Sequence, residues 1–199
     1  MLHRPARPAG RSIVLTHGAG SSCEAPLLVA LGDALAADAV TVLRCDLPFR
    51  QARRHGPPSP AGAARDREGL RRAVGALRSI SGGDVWLGGH SYGGRQATML
   101  AADDPTVAPA LLVLSYPLRP ARPWSQDRTA HLARLDTPAL FVHGSRDPFG
   151  SPADVRAALS LIPARTELLE VTGGHDLGGA GKASALAARI AAAFRRFTE

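Results

Sequence analysis

Three residues of this 199-residue chain have the type and the neighbours that covalent chemistry needs: Ser91, Asp147 and His175. Ser91 is the centre of Gly89-His90-Ser91-Tyr92-Gly93, a G-x-S-x-G pattern. A serine hydroxyl is a weak nucleophile at neutral pH. It needs a base to take its proton and donors to hold the oxyanion that follows attack on a carbonyl. Glycines two places before and after it let a strand and a helix approach closely around a sharp turn, which lifts Oγ toward the positive end of the helix. His175, in Thr172-Gly173-Gly174-His175-Asp176-Leu177, is the candidate base. Asp147, in His143-Gly144-Ser145-Arg146-Asp147-Pro148, is the candidate acid that orients it, with Pro148 restricting its backbone. Asp176 adjoins His175 in the chain and is a poor substitute. The expected oxyanion donors are two backbone N–H groups. One is that of Ala19, in the small-residue run His17-Gly18-Ala19-Gly20-Ser21-Ser22, and the other is that of Tyr92, the residue after the nucleophile. His17 is expected to be a structural histidine bonded within that loop.

The elements that must position these groups show in the hydrophobic pattern. Six short, mostly continuous apolar runs are expected as strands: Ser12–Thr16, Val40–Cys45, Asp84–Leu87, Ala110–Ser115, Ala139–Val142 and Thr166–Val171. Continuous rather than alternating apolarity suits parallel strands buried on both faces. Between them run helical stripes: Leu28, Leu31 and Leu35; Leu70, Val74 and Leu77; Val155, Ala158, Leu159 and Ile162; Leu186, Ile190, Ala193, Phe194 and Phe197. The expected fold class is therefore α/β, a three-layer doubly wound and mostly parallel six-stranded sheet without a lid domain. Residues 1–11 form a basic N-terminal tail and residues 12–199 a single domain; the Gly/Pro-rich stretch from His55 to Gly62 is a surface connection. Each candidate residue follows a strand, and in such sheets ligands bind beyond the carboxyl ends of the strands.

These segments carry a family resemblance. With His17-Gly18-Ala19-Gly20, Asp46-Leu47-Pro48-Phe49-Arg50, Gly89-His90-Ser91-Tyr92-Gly93-Gly94-Arg95, Ser115-Tyr116-Pro117-Leu118 and His143-Gly144-Ser145-Arg146-Asp147, the chain resembles the α/β-hydrolase superfamily from Ser12 to Phe197. Within it the chain is most similar to dienelactone-hydrolase-like proteins. More narrowly, it resembles the hydrolase-like family that includes a regulatory subunit of the nuclear NSL histone-acetyltransferase complex. The order nucleophile, acid, base is the superfamily's own. The resemblance implies a minimal form of the family sheet, its first two strands missing. Dienelactone hydrolases use a cysteine where this chain has Ser91, so their substrate is not carried over. Since the narrower family has members known as complex subunits, the alternative to a serine hydrolase is a non-catalytic binding or scaffold protein on the same fold.

Only nine proline-rich residues, from Tyr116 to Trp124, follow the Ala110–Ser115 run where lidded relatives place a lid. The expected site is thus shallow and open, and takes small soluble acyl substrates. Tyr116, Leu118, Trp124 and Phe149 are its expected apolar walls. Arg95, and less directly Arg50, stand where an acidic group of the substrate could be held.

The net charge of +7 comes almost wholly from scattered arginines, with few aromatics among them, so no nucleic-acid partner is expected. No apolar run approaches a membrane helix, and no apolar region follows the charged N-terminus. No membrane partner and a cytoplasmic location are expected. Cys23 and Cys45 make neither a metal set nor a disulfide framework, and no cofactor or metal is implied. Oligomeric state is left open.

Overall fold

The computed structural model describes residues 1–119, 128–177 and 183–199. In chain order the elements are β1 (Leu2–His3), β2 (Arg11–Thr16), α1 (Pro26–Ala37), β3 (Thr41–Cys45), α2 (Pro48–Ala52), α3 (Ala63–Ser81), β4 (Asp84–His90), α4 (Tyr92–Asp103), β5 (Leu111–Leu114), β6 (Ala139–Gly144), α5 (Pro152–Leu159), β7 (Thr166–Val171) and α6 (Ala183–Thr198). All but β1 pair in parallel, and the sheet order is β1-β3-β2-β4-β5-β6-β7.

The strands sort their side chains to two cores, which explains their near-continuous apolarity. Ile13 and Leu15 of β2 face one core with Leu28, Leu31 and Leu35 of α1 and Ile190, Phe194 and Phe197 of α6. Val14, between them, faces the other core with Leu70, Val74 and Leu77 of α3, Leu100 of α4 and Val155 of α5. Each fully buried Leu or Ile in these layers contributes about 1.5–3 kcal/mol relative to exposure. The helical stripes of the sequence are therefore core faces, as expected. Among the described residues no helix is long and apolar enough to cross a membrane.

Two expectations are corrected. The sheet has seven strands, because Leu2 and His3 of the supposed tail pair antiparallel with Leu43 and Val42 at the β3 edge. Two residues carry no readable periodicity. The pairing is anchored by side chains, with the buried Arg44 donating through Nε to His3 Nε2 at 2.7 Å. Arg11, the last residue of that tail, is already in β2. The second correction lengthens β4, which continues through Gly88 and Gly89 to His90. These glycines are ladder residues, opposite Leu112 and Val113. A Cβ on Gly88 would lie 2.7 Å from the Leu112 carbonyl oxygen, so the close neighbour demands the glycine there.

The topology fixes where a site belongs. From β2 the chain moves outward to β3 and then returns across β2 to β4, so strand order reverses between β2 and β4. The carboxyl ends of that pair carry the His17-Gly18-Ala19 loop and Ser91.

Candidate active site

Ser91 occupies the single residue between β4 and α4, at φ 51° and ψ −114°. That conformation is strained for a residue with a Cβ and persists only where its surroundings impose it. Its own N–H donates to the Leu114 carbonyl at 2.8 Å, and its carbonyl accepts from Arg95 N at 2.9 Å, beginning the helix. The glycines make the turn physically possible. A Cβ on Gly93 would meet the His17 carbonyl oxygen at 2.6 Å, and one on Gly94 the Gly89 carbonyl oxygen at 2.6 Å.

Asp147 and His175 come from the loops after β6 and β7. These loops are joined main chain to main chain: Ser145 N donates to Val171 O at 2.8 Å, and Arg146 N to Gly173 O at 2.9 Å. Gly144 has no room for a side chain, since its Cβ would fall 2.3 Å from the Gly174 carbonyl oxygen. His175 Nδ1 lies 2.8 Å from Asp147 Oδ2, and His175 Nε2 lies 2.7 Å from Ser91 Oγ. The Asp147 carboxyl is fully buried, and its Oδ1 accepts the Phe149 N–H at 2.8 Å. Burial pushes its pKa up, but the His175 bond, the Phe149 N–H and the charges of His175 and His143 outweigh that and hold it below the ordinary carboxylate range. The His175 side chain remains 22% exposed, so part of it is open to water. Asp176 is exposed, and Asp147 is the carboxylate at Nδ1.

The glycine loop after β2 packs directly on Ser91, for a Cβ on Gly18 would come 3.3 Å from Ser91 Cβ. His17 is fully buried. Its Nδ1 donates to the Gly18 carbonyl at 2.8 Å, and its Nε2 accepts the Leu47 N–H at 3.2 Å. Burial lowers its pKa, partly offset by the Gly18 bond and by Asp46, so it is neutral at physiological pH and structural, as its sequence context implied. Tyr92 N–H belongs to the first residue of α4 and has no acceptor within the helix. The Tyr92 hydroxyl donates to the buried Asp66 at 2.7 Å, and Asp66 also accepts the Phe49 N–H at 2.9 Å.

The expected walls divide. Phe149 packs its ring 4.5 Å from the His175 ring. Leu118 is half-buried beside Gly150, and Arg119 N donates to the Phe149 carbonyl at 2.7 Å, so these two walls adjoin each other next to the triad. Tyr116 is corrected: only 2% of it is exposed, it packs on Phe141 in the core, and its hydroxyl donates to Arg128 O at 2.5 Å. Immediately after β5 the ring is drawn into the core beneath the site instead of its rim. Trp124 lies outside the described residues. Arg95 sits half-buried in the first turn of α4, its Nε buried without a hydrogen-bond partner among the described residues. Arg50 is 7% exposed and gives its N–H groups to main-chain carbonyls.

His90, hidden as a variable place in G-x-S-x-G, ties the two sides of the site together. Its Nε2 donates to the His175 carbonyl at 2.7 Å, so the His175 peptide is held from β4, the strand that carries Ser91. Burial lowers its pKa, which keeps it neutral.

Comparison with known proteins agrees with this fold. The model of the family described as alpha/beta hydrolase domain matches residues 9–196, and the chain belongs to that family. No curated protein sequence matches it. Among solved structures, Est1E from Butyrivibrio proteoclasticus with ferulic acid bound is similar at TM-score 0.78 and 16% identity, covering 100% of this chain and 94% of that one. A dienelactone hydrolase from Anabaena variabilis is similar at TM-score 0.77 and 21% identity, over 98% and 89%. A serine hydrolase without a lid from Xanthomonas campestris is similar at TM-score 0.74 and 18% identity, over 98% and 87%. At these identities the likeness is one of fold.

Proposed function

We propose that the protein is a serine hydrolase that cleaves esters or thioesters of small soluble acyl groups through an acyl-enzyme on Ser91. The observation that carries this reading is the unbroken hydrogen-bonded chain from Ser91 Oγ through His175 to the buried Asp147. With Asp147 ionised and bonded to Nδ1–H, the neutral imidazole presents its Nε2 lone pair to the serine hydroxyl. Nε2 takes the proton as Oγ attacks the acyl carbon, and the oxyanion forms against the N–H groups of Ala19 and Tyr92. Collapse breaks the bond to the alkoxide or thiolate, which leaves with the proton from Nε2–H. Water, deprotonated in turn by His175, attacks the acyl carbon and frees the acid from Ser91. A missing oxyanion donor costs about 10²–10³ in kcat in measured cases, so the two backbone donors are a major part of the rate.

Leu118, Phe149 and Arg95 are the proposed substrate contacts, with Trp124 from the short segment after β5. That segment is too short to cover a long acyl chain, which supports a preference for small acyl groups. The test is turnover of p-nitrophenyl esters of graded length. Acetyl and butyryl esters are expected to exceed the palmitoyl ester in kcat/KM by at least about tenfold. No rate jump is expected at the critical micelle concentration, and Ser91→Ala is expected to abolish turnover. Equal turnover by Ser91→Ala would refute the reading.

A further inference from the structure

Arg50 is the fifth residue of the Asp46-Leu47-Pro48-Phe49-Arg50 segment, which the triad does not use. A guanidinium has five N–H bonds to donate, and here each meets a main-chain carbonyl. Nε donates to Ser21 O at 2.9 Å, Nη2 to Ala19 O at 2.8 Å and Gly56 O at 3.3 Å, and Nη1 to Arg54 O at 2.7 Å and Arg53 O at 3.4 Å. No donor is left to grip a substrate. No carboxylate of the described residues lies within ion-pair distance of Arg50, so its charge is stabilised by these carbonyl dipoles and by the Phe49 ring, 5.0 Å away. Burying a guanidinium without a counter-ion is costly, so its bonds must hold something that uncharged packing would not.

What they hold is the peptide after Ala19. The Ala19 N–H belongs to the preceding peptide, whose carbonyl, Gly18 O, is already gripped by His17 Nδ1 at 2.8 Å and by Ser21 N at 3.2 Å. The two peptides that meet at the Ala19 Cα are thus fixed from opposite ends, one by His17 and the other by Arg50. Any turn of the Ala19 backbone that re-aims its N–H must break one set. The remaining Arg50 bonds run to Arg53, Arg54 and Gly56; Arg54, His55, Gly56 and Pro57, with Ala19, Gly20 and Arg50, line a cavity of about 340 Å³ beside the loop. Arg50 therefore rivets the oxyanion loop to the far wall of that cavity.

We propose that Arg50 is the positioning residue of the Ala19 oxyanion donor, an inference that rests on the acyl-enzyme reading above. A lysine at this place keeps the charge but offers three donors from one point and cannot span the same carbonyls. Arg50→Lys is expected to lower kcat about 50-fold while KM stays within about threefold, because a mis-aimed donor is lost from the transition state and not from ground-state binding. Affinity for phenylboronic acid, whose tetrahedral adduct on Ser91 needs the same donor, is expected to fall by a similar factor. Arg50→Met is expected to behave alike, and the exposed Arg65→Met to match the wild type. Circular dichroism and thermal unfolding of each variant report whether the fold is kept.

A folded Arg50→Lys chain with kcat within threefold of wild type would overturn the inference, as would a rise in KM at unchanged kcat, which would make Arg50 a substrate contact. Unfolding of both Arg50 variants would overturn it too, since Arg50 would then hold the fold and not the donor. A wild-type chain without turnover fells the acyl-enzyme reading and this inference together. A wild type that turns over beside undiminished Arg50 variants fells this inference alone.

Discussion

On the β6–β7 side of the site, Asp147 and His175 follow neighbouring parallel strands, and their loops are tied together by main-chain hydrogen bonds before any side chain is considered. On the β2–β4 side the loops leave two strands between which the sheet order reverses, and buried polar side chains do the tying: His17 to Gly18, Arg50 to Ala19 and Ser21, and Asp66 to Tyr92 and Phe49. Asp147 and His175 thus stand on backbone geometry that most substitutions leave intact. The proposed Ala19 donor, being backbone itself, sits in a loop held by side chains that a single substitution can remove. Mutational damage should accordingly fall on Asp147 and His175 themselves on the first side and on the supporting side chains on the second.

The largest expected effect on the β6–β7 side comes from Asp147→Asn. The amide keeps the shape but permits the wrong histidine tautomer, a change that cost about 10⁴ in kcat in the serine-protease case. An open, water-accessible site should depend less on one orientation, so a loss of at least about 100-fold in kcat is expected, with KM hardly altered. Asp176→Asn should be near normal in the same steady-state assay. If Asp176→Asn were the crippled variant, the main-chain zipper would be holding the wrong carboxylate in view and the contrast would fail.

A smaller effect separates the two sides by pH. His17 on the β2–β4 side and His90 beneath the base have pKa values lowered by burial, and His131, behind α4, is lowered to about 4. Each is neutral in the fold and takes a proton in the unfolded chain below the ordinary histidine value near 6.5. Stability is therefore intact above that value and declines as pH falls through it, levelling only below each lowered pKa. Each such histidine adds at most about 1.4 kcal/mol per pH unit to the slope. Asp147 acts in the same direction but in a lower pH window. Its pKa is depressed, so its contribution is fully present above the unfolded carboxylate value and is lost as pH falls from there through the lower, folded one. Urea unfolding at pH 7 and pH 5 is expected to show a loss of stability that His17→Asn reduces and Asp147→Asn leaves unchanged. Equal slopes in all three chains would show that His17 is not a buried neutral support.

The same asymmetry decides what was legible in the sequence. Ser91, Asp147 and His175 each follow a strand at a glycine-marked turn, so local pattern sufficed to single them out, and the structure brings all three within hydrogen-bond reach. The supports on the other side are long-range. Arg50 meets Ala19 across 31 residues, and His90 meets the His175 carbonyl across 85, separations at which no local pattern speaks. Tyr116 was misread for a related reason, since an aromatic just past a strand is equally at home on a rim or in a core, and the Phe141 ring and Arg128 carbonyl that draw it inward lie far along the chain. In β4, Gly88 and Gly89 read as a turn although the close approach of β5 makes them strand. The β1 edge was invisible because two residues have no period.

The central claim, an activated Ser91, is tested most directly by labelling the whole chain with a fluorophosphonate probe and mapping the site by peptide mass spectrometry. The account predicts a single adduct on Ser91 in the wild type, none in Ser91→Ala, and labelling slowed by at least about 100-fold in His175→Ala, which keeps the hydroxyl but lacks its base. No adduct on Ser91, or an adduct formed as fast in His175→Ala as in the wild type, would contradict it.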